Sequence, residues 1–165
     1  MKKITLSLMA SLALTSMSLH ADDDEALTVS VKGLTLQAAQ QIAQASVDAC
    51  RKEGIQIGVT VVDRAGIPQV ALRDSIAAAI TLPISKGKAY AAVMFNAPTS
   101  QLADRANSPI GRAPGLIMST GGVPIQVGGA LLGAVGVSGA PSGETDAKCA
   151  LAGIAAVQED LEMAD

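Results

Sequence analysis

Aromatic side chains are nearly missing: the 165 residues hold one Tyr, one Phe and no Trp. Such a chain cannot build the stacked-ring platform of a single-strand nucleic-acid binder. With 12 Lys and Arg against 15 Asp and Glu it also lacks the cationic excess that follows a phosphate backbone. No nucleic-acid partner is expected. Histidine is as scarce, with His20 alone. Long apolar runs are absent after the first twenty-odd residues, because Lys, Arg, Asp, Gly and Pro interrupt every candidate, so no stable membrane insertion is expected.

The one apolar stretch has the form of a secretory leader. Met1-Lys2-Lys3 is a basic start, 4–17 is apolar but for Ser and Thr, and Ser18-Leu19-His20-Ala21 ends on a small residue before Asp22-Asp23-Asp24-Glu25. The pattern predicts cleavage after Ala21, an acidic flexible segment over 22–33, and a single domain over 34–165. An uncleaved anchor is the alternative, but the run is short for a bilayer span. The product is expected to be periplasmic or secreted. Loss of Lys2 and Lys3 takes two from the 12 basic residues and none from the 15 acidic ones, giving a net charge of −5.

Cleavage also removes His20. Without imidazole a chain has no Ser-His-Asp or Cys-His nucleophile, no two-His zinc helix and no two-His-one-carboxylate iron site. Ligands for any bound ion or cofactor must come from carboxylates, hydroxyls, Lys, Cys, backbone, Tyr90, or a Met such as Met94, Met118 or Met163. The two cysteines, Cys50 and Cys149, fall in predicted helices at opposite ends of the mature chain. Either they are bridged, as an oxidising compartment permits, or they are buried thiols acting as small hydrophobes.

Periodicity predicts the element order α-β-β-α-α-β-β-β-α. Thr35 caps a helix whose stripe runs Leu36, Ala39, Ile42, Ala43, Ser46, Val47 and Cys50, with Gly54 stopping it. Strands over 55–63 and 69–73 flank the Asp63-Arg64-Ala65-Gly66 turn. A short helix over 75–81 precedes a second over 84–96 with Pro83 in its first turn and a stripe through Ala89, Ala92, Val93 and Asn96. A further short helix over 99–106, capped by Thr99, leads to an aperiodic loop over 107–115. Three strands follow, over 116–119, 124–127 and 131–138, and a helix over 144–162 closes the chain. Two-residue turns make neighbouring strands antiparallel, so the fold class is α+β, a five-stranded, mostly antiparallel sheet with helices packed on its faces.

Two motifs invite chemistry. Ser85-Lys86-Gly87-Lys88 has the S-x-x-K spacing of acyl-enzymes but lacks their S-D-N and K-T-G partners. Gly133-Ala134-Val135-Gly136-Val137-Ser138-Gly139 has the wrong spacing for a phosphate loop and sits in a strand, where glycines admit a close backbone, helix or flat ligand. Lys86, Lys88, Arg105 and Arg112 all fall in the middle segment. They form either a positive lip for carboxylates or ordinary solvated charges.

Taken in order, Val61-Val62-Asp63-Arg64-Ala65-Gly66, Lys88-Ala89-Tyr90-Ala91-Ala92, Asn96-Ala97-Pro98-Thr99-Ser100, Gly121-Gly122-Val123-Pro124-Ile125 and the glycine strand 133–139 resemble the GlcG/HbpS-like, haem-degrading-domain family. The resemblance spans 34–161. It implies a profilin-like sandwich in homo-oligomers, with haem as cofactor in the exported members and a role as carrier, buffer or redox-sensing partner. It further implies that Thr99 meets the haem iron, although an N-cap hydroxyl explains the same residue. Tyr90 and Met94 are alternative axial ligands from one helix, and Lys86, Lys88 and Arg112 are candidates for the propionates. Haem degradation is named by the family, but a chain without His favours binding over turnover. Two other readings stand beside it. One is an enzyme or binding protein for a small acidic metabolite, using Lys86 or Lys88 with Asp63 or Asp74; the other is a purely structural oligomer component.

Overall fold

The computed structural model describes residues 27–164. The predicted leader and residues 22–26 of the acidic segment lie outside the described residues, and 27–33 hold no helix or strand. The chain divides between Ser30 and Val31, and the architecture that follows is that of the second unit, Val31–Asp165.

Helix α1, Leu36–Lys52, is capped as its sequence implies: the Thr35 hydroxyl accepts the Ala38 N–H, and Ala39, Ile42, Ala43, Ser46, Val47 and Cys50 form the buried stripe. Strands β1, Gly58–Asp63, and β2, Pro68–Arg73, make the expected hairpin. Asp63 closes its turn by accepting the N–H groups of Ala65 and Ile67, each at 2.9 Å. Helix α2, Thr81–Phe95, ends on Asn96, whose left-handed conformation (φ 47°) makes it a C-cap and leaves it exposed. It is therefore not part of the apolar stripe. A 3₁₀ turn Thr99–Gln101, a short α3, Ala103–Ala106, and a second 3₁₀ turn Pro109–Arg112 lead to β3, Gly122–Val127, and β4, Ala130–Ser138. Helix α4, Gly143–Ala155, is capped by Ser142, and α5, Gln158–Met163, follows.

The sheet has four strands in the order β2-β1-β4-β3, every neighbour antiparallel, instead of the five expected. The missing strand is 116–119. Ile117 donates its N–H to the carbonyl of Gly87 in α2 at 3.2 Å, and its side chain packs where a Cβ on Gly87 would stand, so this segment lies on a helix and not on the sheet. The element order differs too. The expected helix over 75–81 does not form: 75–80 are non-helical and Thr81 already belongs to α2, because the Asp74 carboxylate accepts the Ser75 N–H at 2.8 Å and the Arg73 guanidinium donates to the Ala77 carbonyl, bonds that compete with a helical ladder. The closing helix is interrupted at Val157, whose φ of −125° is not helical. Thr99 opens its 3₁₀ turn from within and makes no cap bond, so the expected capped helix is also corrected.

Alternation along the strands builds two faces. Val59, Val61, Val123, Ile125, Val135 and Val137 join α1 and α4 in the main core. The other face is made of small residues and receives α2. A Cβ on Gly136 would overlap the Ser85 carbonyl oxygen, and one on Gly122 would overlap the Lys88 carbonyl oxygen, so the helix backbone rests directly on strand backbone. This is the close approach that the strand glycines suggest.

The alternatives for the cysteines resolve as a disulfide between Cys50 of α1 and Cys149 of α4, with Cα atoms 5.6 Å apart and a sequence separation of 99. Closing so long a loop removes chain entropy from the unfolded state, about 4–5 kcal/mol in the loop-closure account. Replacing both cysteines by Ala is expected to lower unfolding free energy by up to that amount in urea titrations, with the native fold retained at low denaturant.

Candidate functional site

Lys86, Tyr90 and Met94 recur every four residues along α2 and so share one stripe, on the side of the helix away from the sheet. Lys86 and Met94 are exposed, and Tyr90 is half-buried. Two turns hold the Tyr90 ring. On one side is Gly66 (φ 79°), where a Cβ would overlap the ring; on the other is Gly115 (φ 84°), where a Cβ would stand 3.7 Å from Cδ1. Both positions need the left-handed backbone that glycine alone adopts freely.

These walls enclose a groove of about 580 Å³, floored by Gly87 and lined by Ile67, Pro83, Lys86, Tyr90, Leu116 and Ile117 among others. A second groove of about 360 Å³ lies across Tyr90, Pro114 and Leu116, with Met94, Phe95 and Ile110 as its other walls. Both volumes fall in the roughly 300–1,000 Å³ range of small-molecule sites. No acidic side chain lines either groove, and Lys86 gives the larger one a cation. The Tyr90 hydroxyl makes no hydrogen bond among the described residues. Arg112 is exposed at the end of a 3₁₀ turn, next to Ala113 and Pro114, which line the grooves. Arg105 stands over the Phe95 ring, 5.3 Å from its centroid.

The other predicted site residues face inward. Thr99 is fully buried; its Oγ1 accepts the Gly122 N–H at 2.8 Å and pins the segment after α2 to the start of β3. Lys88 crosses the end of the sheet to meet Asp146 of α4 at 2.7 Å, and it also donates to the Val137 carbonyl at 3.0 Å. Both partners are only 5% exposed at the side chain. Burial pushes the Asp146 carboxyl up, opposed by the Lys88 ammonium and the Ala140 N–H. Ser85, the other half of the S-x-x-K pair, is fully buried and shares a 2.8 Å hydrogen bond with Thr60 Oγ1 while donating to the Leu82 carbonyl, so it has no open face for acylation.

Nor do the proposed carboxylates reach Lys86. Asp63 is occupied by its turn, and Asp74 is gripped by Arg51 at 2.7 and 2.8 Å. The hydrogen bond from Arg51, with that from Ser75 N–H, holds the Asp74 carboxyl down at about 2. Of the residues that the resemblance implied, Lys86 and Tyr90 line the larger groove and Tyr90 and Met94 the smaller one, whereas the walls facing them, Gly66 to Pro68 and Leu116 to Ile117, were not named as site residues. The only local signals for those walls in the sequence were the glycines at 66 and 115. No trio of Cys, Asp or Glu suited to a metal ion occurs among the described residues, and no described helix is long and apolar enough to cross a membrane.

Comparison with known proteins supplies context for this geometry. A family model described as haem degrading protein HbpS-like matches residues 34–155. A crystal structure of HbpS is 40% identical, covers 78% of this chain and 93% of its own, and superposes with a TM-score of 0.75. A double mutant of HbpS from Streptomyces reticuli is 36% identical over 90% of this chain and 97% of that one, with a TM-score of 0.74. A complex of PduOC with haem is 25% identical over 75% and 94%, with a TM-score of 0.69. No functionally curated protein matches.

Two outcomes follow from the polar contacts. Asp146→Asn strands a buried ammonium and is expected to lower stability by about 3–5 kcal/mol, whereas the double variant Lys88→Met/Asp146→Leu recovers most of that loss in the same denaturant titration. For Asp74, the depressed carboxyl contributes stability that is fully present above the ordinary carboxylate value near about 4 and is lost as pH falls through about 2. Asp74→Asn is expected to flatten the acid limb of stability against pH over that window, measured by urea midpoints.

Proposed function

The chain belongs to the HbpS-like haem-degrading protein family, and on that premise we propose that it is an exported haem-binding protein acting as a carrier, buffer or redox-sensing partner. The larger groove on α2 carries the reading. It offers about 580 Å³ of mainly apolar wall with one cation and one phenol, a combination suited to a flat, mostly apolar ring system bearing carboxylates. Bound haem supplies the iron redox chemistry. The polypeptide binds and orients it: Pro83, Ile67 and Ile117 bury the macrocycle face, and Lys86 and Arg112 meet the propionates through charge-assisted hydrogen bonds. Tyr90 would hold the iron through its phenol oxygen, while Met94, one turn further along the same stripe, lines only the smaller groove.

Thr99 takes a supporting role in this reading, because its hydroxyl already serves Gly122, and Lys88 supports α2 through Asp146. Binding and sequestration fit better than turnover. Export draws on the leader pattern and on the disulfide, which persists in oxidising compartments. Self-association belongs to the same proposal and draws on Ile76 and Ile80, which are 81% and 60% exposed on the charge-free run 75–84.

Titration of the mature chain with haemin is expected to give a saturable Soret change. Tyr90→Phe keeps the apolar wall and is expected to alter the band and weaken binding by about tenfold or more. Thr99→Val is expected to lower stability by about 1–3 kcal/mol, the cost of an unsatisfied buried N–H, and to leave the band unchanged. The reverse pattern would return the iron to Thr99. Absence of any saturable change in the wild-type protein would remove the haem reading.

A further inference from the structure

Beyond Tyr90 and Met94, the smaller groove is built from residues that the haem reading does not use. The whole chain contains one Tyr and one Phe, and both line this one groove, with Met94 and Ile110 completing walls that carry no charged side chain. A guanidinium stands next to its wall: Arg105 is not one of the lining residues, but it lies 5.3 Å from the ring centroid of Phe95, which is, and it has no carboxylate partner among the described residues. Stacking on Phe95 holds the Arg105 head in place before any ligand arrives, which reduces the ordering needed on binding.

We infer that this groove is a second, separate site for a small aromatic carboxylate. Its ring system lies between the Tyr90 and Phe95 walls, and its carboxylate meets Arg105. At about 360 Å³ the groove is near the lower end of ligand sites, which suits one or two fused rings and is too small for a macrocycle. Separation from the larger groove rests on the Tyr90 ring, because the two share Tyr90, Pro114 and Leu116 as a common wall. Gly66 and Gly115 hold that ring from both sides and keep the partition closed. The unpaired guanidinium selects an acid over a neutral ring, since a charge-assisted hydrogen bond is the stronger contact at an apolar rim.

The scarcity of aromatics also supplies the test. With amide protons exchanged in heavy water, the Tyr90 and Phe95 rings share the aromatic region of the proton spectrum of the full chain with His20 alone, so both walls can be followed directly while perdeuterated 2-naphthoate is added. Both rings are expected to shift saturably at one naphthoate per chain. Arg105→Gln is expected to weaken naphthoate by about tenfold and leave neutral 2-naphthamide unchanged, as loss of one charge-assisted bond implies. Rings that do not shift saturably, or an Arg105→Gln variant that weakens acid and amide equally, would overturn the proposal. So would ring shifts that follow protein concentration, which would assign the groove to a second copy of the chain. A protein that binds naphthoate but not haemin loses only the haem reading, and one that binds haemin with unmoved rings loses only this one.

Discussion

The close contact between the α2 backbone and the sheet governs the rest of the structure. Gly136 and Gly122 leave no side chain between strand and helix, so the carbonyls of Ser85 and Lys88 sit directly on strand backbone. A helix seated so low cannot bury bulky residues on its inner face, and Ala89 and Ala92 occupy that side. Its longer side chains, Lys86, Tyr90 and Met94, are left for the outer face. The site is thus a consequence of how little room the inner face allows.

That seat is secured at its edges by polar contacts. Lys88 reaches past the end of the sheet to Asp146, and Thr99 holds the start of β3, so the helix and the segment after it are tied to both neighbouring layers. On the opposite face the disulfide fastens α4, the helix that carries Asp146, to α1. Buried ion pairs contribute little net stability compared with an apolar substitute, but they specify one arrangement because each alternative leaves a charge unpaired. Here the specified quantity is the position of α2 over the sheet, and with it the spacing of the groove walls.

Local pattern was legible in the sequence chiefly where one element determined the outcome. The buried stripe of α1, its Thr35 cap, the first hairpin and the glycine turn between β3 and β4 all follow from spacing and turn chemistry. Some failures were local, as at 75–80 and Val157, and the others came where a distant partner decided. The run 116–119 has the look of a strand, and only the presence of Gly87 on α2 makes it lie on a helix. Thr99 after Pro98 reads as a cap until Gly122, 23 residues later, claims its hydroxyl. Lys88 reads as a solvated charge because Asp146 lies 58 residues on, which no local window contains. Lys86, Tyr90 and Met94 came from the family resemblance and not from spacing, and the groove walls opposite them had no signal beyond the glycines at 66 and 115.

The sequence separation of these closures bears on how the protein is made. Cys50 waits for Cys149, β1 pairs with β4, and Lys88 waits for Asp146. A chain emerging from its N-terminus first has the β1–β2 hairpin and a helix for each of its faces, but half of the sheet, β3 and β4, is missing until its last third has appeared. Loop-closure entropy must be met before such distant contacts contribute, so folding of this topology is slow for its size. A product stopped short of α4 has all four strands but lacks both the disulfide partner and the counter-ion of a buried lysine. The two contacts that fix α2 and α1 against α4 are thus the last to become available during synthesis.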